Sequence, residues 1–166
     1  MPNLKKKHMQ DKDKPVSVLD VAAYIISKQP EGNPLTAWKL QKLVYYAQAW
    51  SLVWNEQPLF KEPIFAWANG PVVKELYKQH KGQFSVPQID NGHPDNLSER
   101  QKDSIDRVLD AYGDKTAQWL SDLTHTEQPW IEARSGLEPG ERGEIEINLA
   151  AMHEYYSSID KSRELK

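Results

Sequence analysis

The sequence predicts a mainly α fold, a single-domain helical bundle around a central apolar helix over residues 36–54, with a small β-ribbon near 59–68. Three observations carry this. The stretch TAWKLQKLVYYAQAWSLVW, residues 36–54, spaces Leu40, Leu43, Val44, Ala47, Trp50 and Trp54 at steps of three and four, so they share one helical stripe. Its other side carries Trp38, Tyr45, Tyr46, Ala49, Leu52 and Val53, and its only charges are Lys39 and Lys42. A helix apolar nearly all round must be covered on most sides, by this chain or by a second protein. Ser98 with Gln101 forms a capping box, and Ile105, Val108, Leu109 and Tyr112 continue at helical spacing until Gly113. Finally, 166 residues with 39% hydrophobic and 27% charged side chains suit one soluble domain with one core.

The elements follow in order. Residues 1–14, MPNLKKKHMQDKDK, mix charges with little to bury and read as a solvated tail. Ser17 can cap a helix reaching about Lys28, with Val18, Val21, Ala22 and Ile25 on one face and Asp20 in the first turn. Pro30, Gly32 and Pro34 then redirect the chain, and Thr36 can cap the central helix. Leu59-Phe60 and Ile64 to Ala68, divided by Lys61-Glu62-Pro63, suggest the small two-stranded ribbon or an irregular extended excursion, with Pro63 confining a strand to an edge or a start. Asn69-Gly70-Pro71 reads as a turn whose proline opens a helix to about His80, with Val72, Val73, Leu76 and Tyr77 inward. The segment 81–97, with Gly82, Pro87, Gly92 and Pro94, is the longest loop, though Phe84, Val86 and Ile89 alternate as in a short strand.

Beyond Gly113, a helix over 116–124 should turn Trp119, Leu120 and Leu123 inward, and Pro129 can open a short helix bearing Trp130 and Arg134. Residues 135–143 form a polar loop. Ile145, Leu149, Met152, Tyr156 and Ile159 are spaced for a last helix, with fraying from 160 onward and a frayed terminus at 161–166.

The same residues exclude several chemistries. There are no cysteines, so disulfides, thiolate nucleophiles and cysteine-held metals are ruled out, which fits a cytoplasmic protein. A net charge of -3 gives no reason to expect nucleic-acid or membrane binding, and no run approaches the ~20 apolar residues of a membrane span. No phosphate-cradling glycine loop and no G-x-S-x-G elbow is present. The histidines at 8, 80, 93, 125 and 153 never form a close pair, so no metal site and no cofactor is expected. His125 is the one histidine with a possible catalytic reading, against a structural role at a helix start. Arg134 can clamp a phosphate or carboxylate, or stack on a tryptophan of its own domain. Six tryptophans and seven tyrosines suit either an aromatic core or a protein-binding face.

One combination is more specific. Leu40-Gln41-Lys42-Leu43 with Tyr45-Tyr46-Ala47-Gln48, then Ala66-Trp67 with Asn69-Gly70-Pro71-Val72 and Tyr77, then Thr124-His125 with Pro129-Trp130 and Ala133-Arg134, resembles the Panacea domain of SocA-like and GepA-like phage-associated antitoxins. The ordered match covers roughly residues 17–158 and places a Panacea-like domain at 15–160. It implies a mostly helical fold with a small β element. It also implies an antitoxin, not an enzyme, of a bacterial or prophage type II-like toxin-antitoxin pair. Members are encoded beside unrelated toxins and neutralise them, commonly by direct binding; one branch delivers its toxin to an ATP-dependent protease instead. The implied partner is therefore the toxin protein encoded by the adjacent gene, with such a protease as the alternative and an enzyme using His125 and Arg134 as a third reading. A 14-residue tail is too short for a helix-turn-helix, so binding of the chain's own operon is not expected. The partner-contact candidates are Lys39, Lys42, Tyr46, Trp50, Trp67, Trp130 and Arg134, with the loop 81–97 as a further contact region.

Overall fold

The computed structural model describes residues 14–164; the expected tail, apart from Lys14, and residues 165 and 166 lie outside them. Among these residues the helices are α1 (Val18–Ser27), α2 (Ala37–Asn55), α3 (Lys74–His80), α4 (Glu99–Tyr112), α5 (Ala117–Thr124), α6 (Gln128–Ala133) and α7 (Leu149–Glu164). The strands are β1 (Leu35–Thr36), β2 (Ile64–Trp67), β3 (Gly70–Val73) and β4 (Ser85–Val86), so the protein is mainly α.

The central helix is where the sequence places it. Thr36 is the N-cap of α2, its hydroxyl accepting from the Lys39 amide at 3.2 Å, and Glu56 ends the helix in the left-handed region at φ 56°. From Leu40 to Leu52 every residue is buried. The chain supplies this cover itself, chiefly with α4 and α7 and further with α1, α5 and β3. At roughly 1.5–3 kcal/mol for each fully buried large aliphatic or aromatic side chain, this helix is the main source of hydrophobic stabilisation.

The polar residues that interrupt α2 hold irregular chain against it. Gln48 accepts from the amides of Leu59 (2.7 Å) and Phe60 (3.3 Å) and donates to the Phe60 carbonyl (2.7 Å). Gln41 accepts from the Val73 amide (2.9 Å) and donates to the Val73 carbonyl (3.2 Å). Each amide side chain thus stands in for a neighbouring strand and satisfies backbone groups that burial would otherwise leave unpaired.

The ribbon sits later in the chain than the sequence suggests. Leu59-Phe60 is not one of its strands; Phe60 makes only an isolated parallel bridge to Val16. The hairpin is β2 against β3, antiparallel, with Ile64 opposite Val73 and Trp67 opposite Gly70 across an Ala68-Asn69 turn. Pro71 lies within β3 rather than at a helix start, and α3 begins at Lys74. A proline fits there because its partner Ala66 sends both backbone groups elsewhere: its amide to the Ile145 carbonyl (2.8 Å) and its carbonyl to the Arg134 guanidinium (2.9 Å). Residues 145–147 extend the hairpin edge, so Ile145 does not belong to the last helix, which starts at Leu149 behind an Asn148 cap. That helix continues to Glu164, past the fraying expected from residue 160.

The capping boxes at Ser17 with Asp20 and at Ser98 with Gln101 are both formed. In the 81–97 loop, β4 pairs with β1, and Phe84 is exposed. Trp119, expected inward, faces solvent on α5, while Leu120 is buried. No helix among the described residues is long and apolar enough to cross a membrane.

Candidate partner-binding site

Besides Gln41, further side chains hold the hairpin against the helices, among them Ser121 of α5, which donates to the Asn69 carbonyl at 2.6 Å. Trp130 Nε1 on α6 donates to the Trp67 carbonyl (2.9 Å). Arg134, just beyond α6, donates to the carbonyls of Ala66 (2.9 Å) and Glu141 (2.6 Å), and its guanidinium lies 5.3 Å from the Trp130 ring centroid. On the other side, Lys42 of α2 reaches the Pro71 carbonyl at 3.4 Å. The motif groups of the sequence meet here: the Leu40 to Leu43 run, the Asn69 to Val72 turn, and the segment from Thr124 to Arg134.

Lys42 is the unusual member. It is 1% exposed, and burial lowers its pKa to about 7, with no charged neighbour compensating. Gly70 makes room for it. At φ +125°, a conformation L side chains rarely adopt, a Cβ on Gly70 would lie 2.5 Å from Lys42 Cε and 3.2 Å from Thr124 Oγ1. The ammonium lies 5.2 Å from the ring centroid of Trp38.

A cavity of about 280 Å³ sits over this lysine, lined by Trp38, Lys42, Asn69, Gln118, Ser121 and His125, with Ala117 beside them. His125 stacks on Trp130, ring centroids 4.1 Å apart, and its Nε2 is enclosed without a hydrogen-bond partner. Burial, then Lys42, hold its pKa down against the opposing pull of Asp122. The imidazole therefore favours its neutral form.

A larger cleft of about 750 Å³ adjoins this cavity and shares Trp38 and Asn69 with it. Lys74, Lys78 and Lys81 from and just beyond α3 line it, with Arg142 from the loop before α7, the aromatic rings of Trp67 and Tyr77, and Glu144. Lys74 pairs with Glu144 and Lys78 with Glu75, both at 3.1 Å, and Lys81 and Arg142 leave the lining with more positive than negative charge. Trp67 packs edge-on against Tyr77 at 5.0 Å, and its Nε1 has no hydrogen-bond partner. A third cleft, of about 320 Å³, lies away from these among Trp50, Tyr112, Trp119, Tyr155 and Ile159.

The seven candidate contact residues divide. Lys39, Trp67 and Trp130 are half-buried. Tyr46 is closed inside the core, donating to Glu127 at 2.7 Å and stacked on Tyr112 at 4.4 Å; Glu127, buried and raised in pKa, also accepts from Tyr156 at 2.8 Å. Trp50 is buried too, donating to the Tyr112 hydroxyl at 3.0 Å. Arg134 is buried with its donors on backbone carbonyls, and Lys42 is the floor of the smaller cavity. An aromatic stripe at helical spacing fits core and contact surface equally well, which is why the sequence could not separate them. Trp38, 41% exposed at the rim between the two clefts, was legible only as part of the helix. The basic side of the large cleft had a signal: Lys74, Lys78 and Lys81 recur at steps of four and three, the helical period carried by charge.

The family model described as "Antitoxin SocA-like, Panacea domain" matches residues 40–131, more than half of the chain, and takes in α2 from Leu40 onward, the hairpin, α3 and the segment through Trp130. No curated protein and no solved structure matches the chain.

Proposed function

We infer the function from one premise: the chain belongs to the family of SocA-like antitoxins with a Panacea domain. The protein is the antitoxin of a toxin-antitoxin pair and neutralises its toxin by direct binding, one surface covering the region the toxin needs for its activity. The observation that carries the site is the pair of clefts meeting at Trp38 and Asn69, with an exposed tryptophan on the rim and an excess of lysine and arginine in the larger one. Exposed aromatics and arginine provide much of the energy in protein interfaces, and a stable complex needs about 1,000 Å² or more of total buried surface. Trp38, Trp67, Lys78, Lys81 and Arg142 are the proposed contacts, with Trp130 holding the Trp67 carbonyl, while Lys39 is turned to the Gly113 carbonyl at 2.7 Å and is not among them.

The test is co-expression of this chain with the product of its adjacent gene. Growth rescue together with co-purification of the two proteins supports direct neutralisation. Rescue without a complex, and only in cells with intact ATP-dependent proteases, would replace this reading with the adaptor mechanism.

A further inference from the structure

The smaller cavity has chemistry that the chain leaves unfinished. Its floor is a lysine without a carboxylate partner; its wall is an imidazole with an enclosed, unpaired nitrogen; its rim bears the exposed Trp38 and Asn69 with the amide of Gln118. An isolated buried cation costs free energy, and pairing it with an anion recovers part of that cost. The hairpin makes the arrangement specific, because the missing Cβ of Gly70 leaves the space that Lys42 fills, and the Pro71 carbonyl accepts from its ammonium.

We propose that the cavity beneath Trp38 receives an aspartate or glutamate side chain of the toxin, whose carboxylate pairs with Lys42. Two observations favour an acidic protein segment as the occupant. The neighbouring cleft, continuous through Trp38 and Asn69, presents Lys78, Lys81 and Arg142 to whatever enters the cavity, so the residues flanking the carboxylate meet further positive charge. A volume of about 280 Å³ also suits one side chain and its backbone. The inference rests on the antitoxin reading, since the occupant is the toxin.

The inference has a pH signature. The charged and titratable groups around the site are Lys42 on α2, His80 on α3, held down by burial first and by Lys42 after it, and His125 after α5, held down by burial and Lys42 and feeling Asp122 and Arg134 as well. The free protein carries Lys42 near the middle of its titration at pH 7, and a bound carboxylate would hold it charged. Association should then take up a proton and weaken by about tenfold or more between pH 7 and pH 9.

The experiment measures binding of the adjacent-gene product to the full chain and to Lys42→Met, whose folding is checked by its thermal transition. The Lys42→Met variant is expected to bind at least about 30-fold more weakly and to lose the pH dependence. Aspartate and glutamate residues of the toxin are changed one by one to asparagine and glutamine. One of them should weaken binding to the wild-type chain while adding nothing in the Lys42→Met background, a departure from additivity of about tenfold. Binding by a folded Lys42→Met variant within about threefold of wild type, or no coupled acidic residue on the toxin, overturns the inference and leaves the antitoxin reading standing. Failure of the wild-type chain to bind the adjacent-gene product overturns both.

Discussion

Replacing Lys42 by methionine should make this protein more stable, and by an amount that depends on pH. The ammonium is buried without an ion-pair partner, and its pKa falls from 10.5 to about 7. The sign follows from proton counting. Between these two values the unfolded chain binds more protons than the folded one, so stability rises with pH across the window. Below pH 7 the full cost of burying the charge is present; above 10.5 it is gone. Converting the shift gives a cost on the order of 4 kcal/mol at pH 7 and about 2 kcal/mol at pH 9. Methionine is similar in length, uncharged, and fits the space beside Gly70. It forfeits the long 3.4 Å bond to the Pro71 carbonyl, a loss of about 1 kcal/mol. The net stabilisation is then roughly 3 kcal/mol at pH 7 and about 1 kcal/mol at pH 9, or about 6–12 °C in Tm at the lower pH for a domain of this size. Thermal and urea unfolding of both proteins at the two pH values provide the comparison, and taking the difference cancels the contribution of Glu127, on which Lys42 does not act. A variant that is less stable than wild type by the same amount at both pH values would refute the reasoning, because Lys42 would then be charged and compensated in the folded state.

Three further outcomes follow from the same contacts. Gly70→Ala places a Cβ at φ +125° and 2.5 Å from Lys42 Cε, so it should cost about 2–3 kcal/mol in urea unfolding, and less in a Lys42→Ala background where the clash is removed. Tyr46→Phe removes one of the two hydroxyls that hold the buried Glu127 carboxylate, and should lower stability by about 1.5–3 kcal/mol while leaving the helical circular dichroism unchanged. Arg134→Lys should behave much like Arg134→Ala, because one ammonium cannot serve the Ala66 and Glu141 carbonyls together; amide exchange should speed up in residues 64–73 in both.

The central helix was legible because hydrophobic periodicity and a capping threonine are local signals, and the structure places both where the sequence does. The capping box at Ser98 was legible for the same reason. The hairpin was misplaced by a few residues because Asn69-Gly70-Pro71 carries the local signature of a turn before a helix. What overrides it is tertiary: Gln41 and Arg134 hold the backbone of Val73 and Ala66 in extended conformation, and residues 145–147 add an edge from far along the chain. Ile145 was assigned to the last helix because an apolar residue four before Leu149 satisfies the helical period whether or not its backbone continues the helix. The site was only half legible. Lys42, Trp67 and Trp130 stand around it, yet nothing local says that Lys42 is enclosed or that Tyr46 and Trp50 are spent on internal hydrogen bonds. The basic cleft joins α3 to Arg142 across some sixty residues of chain, a juxtaposition that only the fold creates.

The most direct measurement is amide hydrogen exchange on the purified chain with and without the product of its adjacent gene. Binding through the two joined clefts predicts slowed exchange in residues 67–81 and at Ala117, Gln118, Ser121 and His125, with Ala111, Tyr112, Tyr155 and Ile159 of the third cleft unchanged. Protection confined to that third cleft, or to residues 87–97, would contradict the account and move the toxin to another face of the molecule.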